Sequence, residues 1–328
     1  MKRDASTMTR RGLFAAAAGA LAAPYILRAG MGTAHAAAPM LGPDRAGHHR
    51  FKLGDFEVTT IFDGAVTVDG PHPIFGNDQP AEDVQRHAQS RFLPADKLEI
   101  GFTPVLVNTG SELVVFDAGN GVARRPNAGR FAERMQAAGY APDQADVVVI
   151  THFHPDHIGG LMENGQPLFP NARYVTHQGE FDFWLHPDRM SGGTEGVAKL
   201  AETNVKPFAD KTTFVQDEGE VVAGIRAIAS PGHTPGHTSF HVESQGKRLL
   251  IGGDFCNHYV LSLERPDWHV SFDMDKDLAV ATRKRLLDMI ASERLAFTNY
   301  HMPCPAVGFV EKTDTGWRYV PATYQFFI

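Results

Sequence analysis

Four side chains of the types that bind metal ions lie within six consecutive residues: His152, His154, Asp156 and His157. They directly follow an apolar run at 147–150, which predicts a short, fully buried strand. In an extended segment alternate side chains project to the same side, so His152 and His154 can bind one ion. A turn at Pro155 lets Asp156 and His157 face a second ion beside the first. This spacing predicts a paired metal centre rather than isolated core or surface histidines.

The surrounding sequence alternates between strand and helix character. Alternating apolar residues predict hairpins over 51–61 and 102–117, whereas residues 70–100 have no clear period and predict a long functional loop. Further strands are predicted at 147–150, 173–176, 212–216, 224–229, 238–243 and 248–252. Helices are predicted at 131–139, 177–185, 197–205 and 276–293. Two sheets sandwiched between helices would bury these elements.

Three later segments each place another ligand-type residue after an apolar run: Pro231-Gly232-His233, Gly252-Gly253-Asp254 and Tyr300-His301. Together with His-x-His-x-Asp-His at 152–157, and in this order, they resemble the metallo-β-lactamase superfamily. The resemblance covers nearly the whole chain after the first 36 residues. It implies an α/β fold with four αββα layers and a two-metal site at the edge of the sheets.

The resemblance also implies a role for seven side chains. The first metal would be held by His152, His154 and His233, the second by Asp156, His157 and His301, and both by a bridging Asp254. Five histidines and two carboxylates suit zinc best and also accept manganese, cobalt or iron. Two such ions about 3.5–4 Å apart can share a hydroxide that attacks an acyl or phosphoryl centre. Asp156 and Asp254 are the predicted catalytic residues, since Asp156 can orient that hydroxide and relay its proton.

Other ligand-type residues lie close to these motifs. His237 follows His233 closely, but the family pattern makes it a structural histidine. Cys256 could compete with Asp254 as a soft zinc ligand, and the resemblance favours Asp254, which the dinuclear hydrolases carry at this position. Four further histidines are better explained as surface or pocket-wall residues: His177, His186, His258 and His269.

The C-terminal segments 300–303 and 316–321 and the N-terminal signal resemble those of methyl parathion hydrolase and its lactonase and arylesterase relatives. These relatives imply a homodimer and an aromatic pocket for lactones, aryl esters or organophosphate triesters. The candidate pocket residues are Phe183, Trp184, Phe255, His258, Trp268 and Phe272. Core packing explains any single one of them equally well. His258 and Trp268 are preferred because they lie in the polar loop after Asp254.

Two alternatives stay open. A β-lactam or thioester hydrolase of the same fold would use the same ligands, although Asp254 argues against the true β-lactamase branches. From a different class, a non-catalytic metal-binding protein would bind ions without turnover, although degenerate relatives usually lose ligands. Ester or lactone hydrolysis that a chelator abolishes would distinguish an enzyme from such a protein.

Residues 1–36 have the composition of an export signal. The pair Arg10-Arg11 precedes an apolar run at 12–27, and a small-residue pattern suits cleavage after Ala36. The segment 9–14 resembles the twin-arginine signal, and an ordinary export signal is the alternative. These features predict a periplasmic or secreted protein without a membrane anchor in its mature form.

The remaining composition is ordinary for a globular protein, with 43% hydrophobic and 21% charged residues. The net charge of −7 opposes binding to nucleic acid, so a small-molecule substrate is expected. A flexible leader is predicted at 37–50 and a single hydrolase domain at 51–328. The two cysteines, Cys256 and Cys304, cannot form a disulfide framework, and we predict two free, mostly buried thiols that line the pocket.

Overall fold

The computed structural model describes residues 38–40, 42, 45–322 and 326–328, and the predicted signal at 1–36 lies outside these residues. The chain divides into two units between Asp44 and Arg45. In the first unit the described residues are exposed and form no helix or strand. Within the described ranges no helix is long and apolar enough to cross a membrane.

The second unit alternates strands and helices along the chain. Its strands are β1 (His48–Leu53), β2 (Phe56–Ile61), β3 (Gly64–Asp69), β4 (Lys97–Phe102), β5 (Val105–Asn108), β6 (Leu113–Phe116), β7 (Val147–Val149), β8 (Met162–Glu163), β9 (Gln166–Pro167), β10 (Arg173–His177), β11 (Thr212–Val215), β12 (Glu220–Val222), β13 (Ile225–Ala229), β14 (Thr238–Ser244), β15 (Lys247–Ile251), β16 (Ala296–Thr298), β17 (Val307–Lys312) and β18 (Trp317–Pro321). Its helices are α1 (Ala81–Ser90), α2 (Phe131–Ala137), α3 (Pro155–Ile158), α4 (Gln178–Trp184), α5 (Glu195–Asn204) and α6 (Lys276–Ser292).

The first sheet has the strand order β1-β2-β5-β6-β7-β10-β11. The first four strands pair antiparallel, whereas β6, β7, β10 and β11 are parallel neighbours. Both faces of the parallel part are covered, which explains why Val147–Val149 is apolar without alternation. Parallel neighbours end at the same edge of a sheet, so the residues that follow β6 and β7 lie side by side.

The second sheet contains β12 to β18 in sequence order. Its neighbours are antiparallel except β15 and β16, which are parallel and are connected through α6. This parallel pair brings the ends of two strands to one edge. Asp254 follows the first of these strands and His301 follows the second.

The two sheets pack face to face, and helices cover their outer faces. Phe116 of the first sheet meets Phe240 of the second, with ring centroids 5.4 Å apart. The outer face of the first sheet packs against residues of α2, α4 and α5: Met135, Trp184 and Ala201. The outer face of the second sheet packs against residues of α6: Leu286, Leu287 and Ile290. The expected four-layer αββα fold is confirmed.

Two parts of the predicted chain organisation differ from the structure. Residues 70–100, predicted as a loop, contain α1 and most of β4, and β3 and β4 pair as a separate two-stranded ribbon. Helix α1 buries only Val84, His87 and Ala88, so few apolar residues mark it in the sequence. The predicted leader ends earlier than residue 50, since β1 starts at His48 and pairs with β2. The other predicted strands and helices are confirmed, with ends shifted by up to three residues.

Candidate metal centre

The segment that follows β7 is anchored to the neighbouring strand β6. Asp117, directly after β6, accepts hydrogen bonds from the backbone N–H of Thr151 at 2.8 Å and from its hydroxyl at 2.9 Å. The two residues meet because β6 and β7 are parallel neighbours and end together. This anchor fixes the start of the segment that carries His152 and His154.

All seven sequence-predicted ligands come together at this edge, in two groups. In the first group the ligand atoms lie within 4.8 Å of one another and belong to His152, His154, His233 and Asp254. In the second group they lie within the same limit and belong to Asp156, His157, Asp254 and His301. Asp254 is shared, because its Oδ1 lies 3.4 Å from His157 Nε2 and its Oδ2 lies 3.4 Å from His233 Nε2. The grouping matches the one that the family resemblance implies.

Three buried polar atoms of this centre have no hydrogen-bond partner in the described part of the chain: His152 Nε2, His157 Nε2 and Asp254 Oδ1. Unpaired buried polar atoms are costly, and here they lie among further imidazole nitrogens and carboxylate oxygens. Nitrogen and oxygen donors of this kind are typical ligands of zinc and related ions. The residues therefore fit two divalent metal ions that share Asp254.

Two imidazoles are held from behind through their Nδ1 atoms. His157 Nδ1 lies 2.8 Å from Asp117 Oδ2, and His233 Nδ1 lies 2.9 Å from Asp273 Oδ1. Each contact leaves Nε2 directed at the centre, as is usual for histidines that bind metals. Neither carboxylate was predicted from the sequence. Asp117 could have been found because it ends a predicted strand, whereas nothing in the local sequence marks Asp273.

Asp273 is itself fixed by the fully buried side chain of Arg283 on α6. The Arg283 Nη2 donates to Asp273 Oδ2 at 2.8 Å, and its other N–H groups donate to the carbonyls of Phe255 and Pro266. Burial raises the pKa of Asp273, but the hydrogen bond from His233 and the charge of Arg283 outweigh burial and lower that pKa. Helix α6 thus connects the support of His233 to the loop that contains Phe255.

The pKa values of His154 in the first group and His157 in the second are shifted in opposite directions. Burial lowers the pKa of His154 to about 3, and the neighbouring His233 acts in the same direction, so His154 is neutral and its lone pair is available. Burial also disfavours the charged form of His157, but three surrounding carboxylates, with Asp117 first, outweigh burial and raise its pKa. Three carboxylates around one imidazole stabilise positive charge, so the second ligand group favours a bound cation.

His237 is not free to act as a ligand. Its Nε2 accepts a hydrogen bond from the backbone N–H of Asp254 at 2.8 Å, and its Nδ1 lies 2.8 Å from the hydroxyl of Ser230. Because both ring nitrogens have partners, His237 supports the loop of Asp254 from behind. This placement agrees with the structural role that the sequence analysis expected.

Both cysteines are free thiols, as predicted. The prediction that both line the pocket is wrong for Cys256, which lines neither of the two cavities beside the ligand groups. Cys256 is buried in the apolar cluster under α6, with its Sγ 3.3 Å from the side-chain nitrogen of Asn299, and it belongs to neither ligand group. Burial raises its pKa, which disfavours the thiolate that a metal requires. Cys304 is partly exposed and lines a cavity of about 470 Å³.

A cavity of about 270 Å³ lies against both ligand groups. Its polar lining includes five of the predicted ligands: His154, Asp156, His233, Asp254 and His301. Its apolar walls come from the β3–β4 ribbon, α5 and the loop before α6: Val66, Ile100, Phe102, Val197 and Phe272. Arg124 contributes a cation to the lining. The ribbon residues were not predicted as pocket residues, because most of β4 falls in the region that was predicted to be a loop.

Of the six predicted pocket residues, Phe272 lines this cavity and the other five do not. Trp184 packs edge-on against His154, with ring centroids 6.0 Å apart, and its indole N–H donates to Glu180 at 2.7 Å. A buried indole needs such an acceptor, which turns Trp184 inward. Phe183 packs against Trp184, with centroids 5.0 Å apart.

The other three predicted pocket residues also lie elsewhere. Phe255 belongs to the apolar cluster under α6, and Trp268 packs edge-on against His87. His258 lines the neighbouring cavity of about 470 Å³, which shares His301 with the first. Closeness in sequence to a ligand therefore did not determine which way these side chains point.

Comparisons with known proteins agree with this geometry. Residues 103–294 match the family model described as the metallo-beta-lactamase superfamily. The N-acyl homoserine lactonase AiiA of Bacillus thuringiensis subsp. kurstaki is 28% identical over 209 residues, which cover 60% of this chain and 76% of the relative. The dizinc quorum-quenching lactonase AidC superposes with a TM-score of 0.78 at 25% identity, and the hydrolase AbOPH with 0.79 at 25%. Both superpositions cover 86% of this chain and 100% of the other.

Proposed function

Because the chain belongs to the metallo-beta-lactamase superfamily, we propose that this hydrolase uses two divalent metal ions, zinc first among them, to open the ring of lactones that carry an apolar acyl chain. One observation carries the proposal. Two groups of ligand-type residues share Asp254 and lie against a cavity with apolar walls. The relatives are named as N-acyl homoserine lactonases, which supports this substrate class for the present chain.

Each ion has its own set of side chains in this proposal. His152, His154 and His233 would hold the first, Asp156, His157 and His301 the second, and Asp254 both. The ions, when bound, supply Lewis-acid polarisation of the acyl carbonyl and make water acidic enough to ionise near neutral pH. The protein's contribution is to keep the ligands in place, through the contacts of Asp117 with His157 and of Asp273 with His233.

Asp156 is the residue placed to move a proton. Its side chain lines the cavity, and one oxygen lies 3.5 Å from the Nε2 atoms of both His157 and His301. Its backbone carbonyl accepts a hydrogen bond from the Tyr300 hydroxyl at 2.6 Å, which fixes the residue at the start of α3. The carboxylate can take the proton of the attacking water and return it to the alkoxide that ring opening releases.

The walls of the cavity favour an acyl chain next to a reactive carbonyl. Val66, Ile100 and Phe102 of the ribbon line the cavity together with Val197 and Phe272. About 270 Å³ is near the lower limit for ligand pockets, which suits chains of short to medium length. Aryl esters and organophosphate triesters are the second candidate class, because Phe75, Phe102 and Phe272 give the lining an aromatic character.

The test is turnover of a panel by the zinc-loaded protein: N-hexanoyl homoserine lactone, an aryl ester, a phosphotriester, a thioester and a β-lactam. We expect the lactone to be hydrolysed fastest, with activity lost after removal of the metal by a chelator and restored by added Zn²⁺. Lactone hydrolysis that survives metal removal would contradict the proposal. Two bound ions with no turnover of any panel member would support a non-catalytic metal-binding protein instead.

A further inference from the structure

Glu180 is a fully buried carboxylate that the proposed reaction does not use. It lies on α4, and its side chain has an exposed fraction of 0%. Burial raises its pKa, whereas hydrogen bonds to its oxygens act in the opposite direction. All four hydrogen-bond donors are neutral N–H or O–H groups. A buried carboxylate held in this way is costly to maintain, so its placement calls for a function.

The four donors come from segments that carry predicted ligands or contact them. Glu180 Oε1 accepts from the backbone N–H of Phe153 at 2.9 Å and from the indole of Trp184 at 2.7 Å. Glu180 Oε2 accepts from the Thr234 hydroxyl at 2.7 Å and from the backbone N–H of Gly236 at 2.9 Å. One carboxylate therefore connects the segment after β7 to the segment before β14.

These contacts lie next to the histidines of the first ligand group. Phe153 lies between His152 and His154 in the chain, and Thr234 directly follows His233. The indole of Trp184, which Glu180 orients, packs edge-on against the His154 ring. The backbones of Gly236 and Glu180 also lie close together, since a Cβ atom on Gly236 would lie 2.2 Å from the backbone nitrogen of Glu180. A shift of Glu180 would therefore move both segments.

The second ligand group is held by other residues. His157 is supported by Asp117, and His301 Nδ1 lies 2.8 Å from the carbonyl oxygen of Gly101. Neither contact involves Glu180. We propose that Glu180 is a positioning residue that sets the distance between the His152–His154 segment and His233, and so controls metal affinity at the first ligand group and not at the second. This inference rests on the proposed two-metal function.

An amide cannot replace the carboxylate at this position. Glutamine offers one oxygen acceptor and one NH₂ donor, so its NH₂ end would face two donors at either orientation. Toward Phe153 and Trp184 both donors are fixed N–H groups, and toward Thr234 and Gly236 only the hydroxyl can turn to accept. At least one buried N–H would lose its partner, which should push the two segments apart.

The experiment titrates metal-free protein with Co²⁺ and follows the visible spectrum. His233→Ala and His301→Ala identify the spectrum of each ligand group. Glu180→Gln should raise the dissociation constant of Co²⁺ at the first ligand group by about 10–100-fold. The dissociation constant at the second ligand group should change by no more than about twofold. The matched control, Asp182→Asn, removes an exposed carboxylate from the same helix and should bind both ions as the unmodified protein does.

The outcomes separate this inference from the function on which it rests. Unmodified protein that binds fewer than two ions would count against the proposed function itself. If it binds two, a Glu180→Gln protein with unchanged affinity at the first group, or with equal losses at both groups, would overturn the role of Glu180. If Glu180→Gln does not fold, Thr234→Val decides, because removal of one donor should weaken the first group several-fold and unchanged binding would again overturn the role.

Discussion

The carboxylate of Asp273 forms a buried ion pair with Arg283 and also contacts His233 Nδ1. Replacement of Asp273 by asparagine would remove the negative charge of this pair. Both residues are buried, with exposed fractions of 3% for Asp273 and 0% for Arg283, so water cannot replace the lost partner. Removal of one member of a buried ion pair costs about 3–5 kcal/mol because the other charge stays buried. Arg283 would keep carbonyl acceptors at Phe255 and Pro266, so we expect the lower end, about 3 kcal/mol.

The measurement is the free energy of unfolding in urea for metal-free protein, where the ion pair acts without any bound metal. Asp277→Asn is the control, because Asp277 lies on α6, the helix of Arg283, and its side chain has an exposed fraction of 98%. In zinc titrations Asp273→Asn should also weaken the ion at the first ligand group by at least about tenfold. A loss of unfolding free energy below about 1 kcal/mol, equal to that of the control, would refute the reasoning about the buried pair.

Three further predictions follow from the same structure. Asp254→Ala should abolish turnover and reduce the metal content of both ligand groups while circular dichroism still shows the fold; full activity with two bound ions would contradict the shared role. Phe272→Ala should raise KM about tenfold for a decanoyl lactone through loss of about 1.4 kcal/mol of apolar contact, whereas His258→Ala should leave the ratio of decanoyl to butanoyl activity unchanged. Burial and Arg265 lower the pKa of His87 below 6.5, so its contribution to stability is present above about pH 6.5 and is lost as the pH falls below that value. The loss of unfolding free energy on acidification should therefore be smaller in His87→Gln, and equal losses would contradict the shift.

Four of the ligands could be predicted from the sequence itself because they form one local motif after a strand, whereas His233, Asp254 and His301 were assigned through the family resemblance. His152, His154, Asp156 and His157 come within one short segment, and the strand before them is apolar throughout. Such signals depend on neighbours in the chain and so survive without knowledge of the tertiary structure. The four layers could be predicted for the same reason, from the periods of the strands and helices.

The supports of these ligands could not be predicted in this way. Asp273 reaches His233 from forty positions away, and Glu180 reaches Thr234 from 54 positions away. Only the packing of α4 and α6 against the sheets brings these residues together. The inward turn of Trp184 depends in turn on Glu180, so the wrong prediction of Trp184 as a pocket residue and the missed buried carboxylate have one physical cause.

The β3–β4 ribbon was also not predicted from the sequence. Strand β4 does alternate, since the apolar Leu98, Ile100 and Phe102 are separated by single residues, and this period of two is typical of a half-buried strand. Prolines nearby favoured the interpretation as a loop, yet Pro80 precedes α1 and does not interrupt it. A short alternating stretch close to several prolines was therefore overlooked, although it forms a wall of the cavity.

The most direct test of the central claim is anomalous diffraction at the zinc edge from crystals of the zinc-loaded protein. The account predicts two peaks in each chain, one next to His152, His154 and His233 and one next to Asp156, His157 and His301, with the Asp254 carboxylate between them. A single peak, or a peak bound by the Cys256 sulfur with Asp254 turned away, would contradict it.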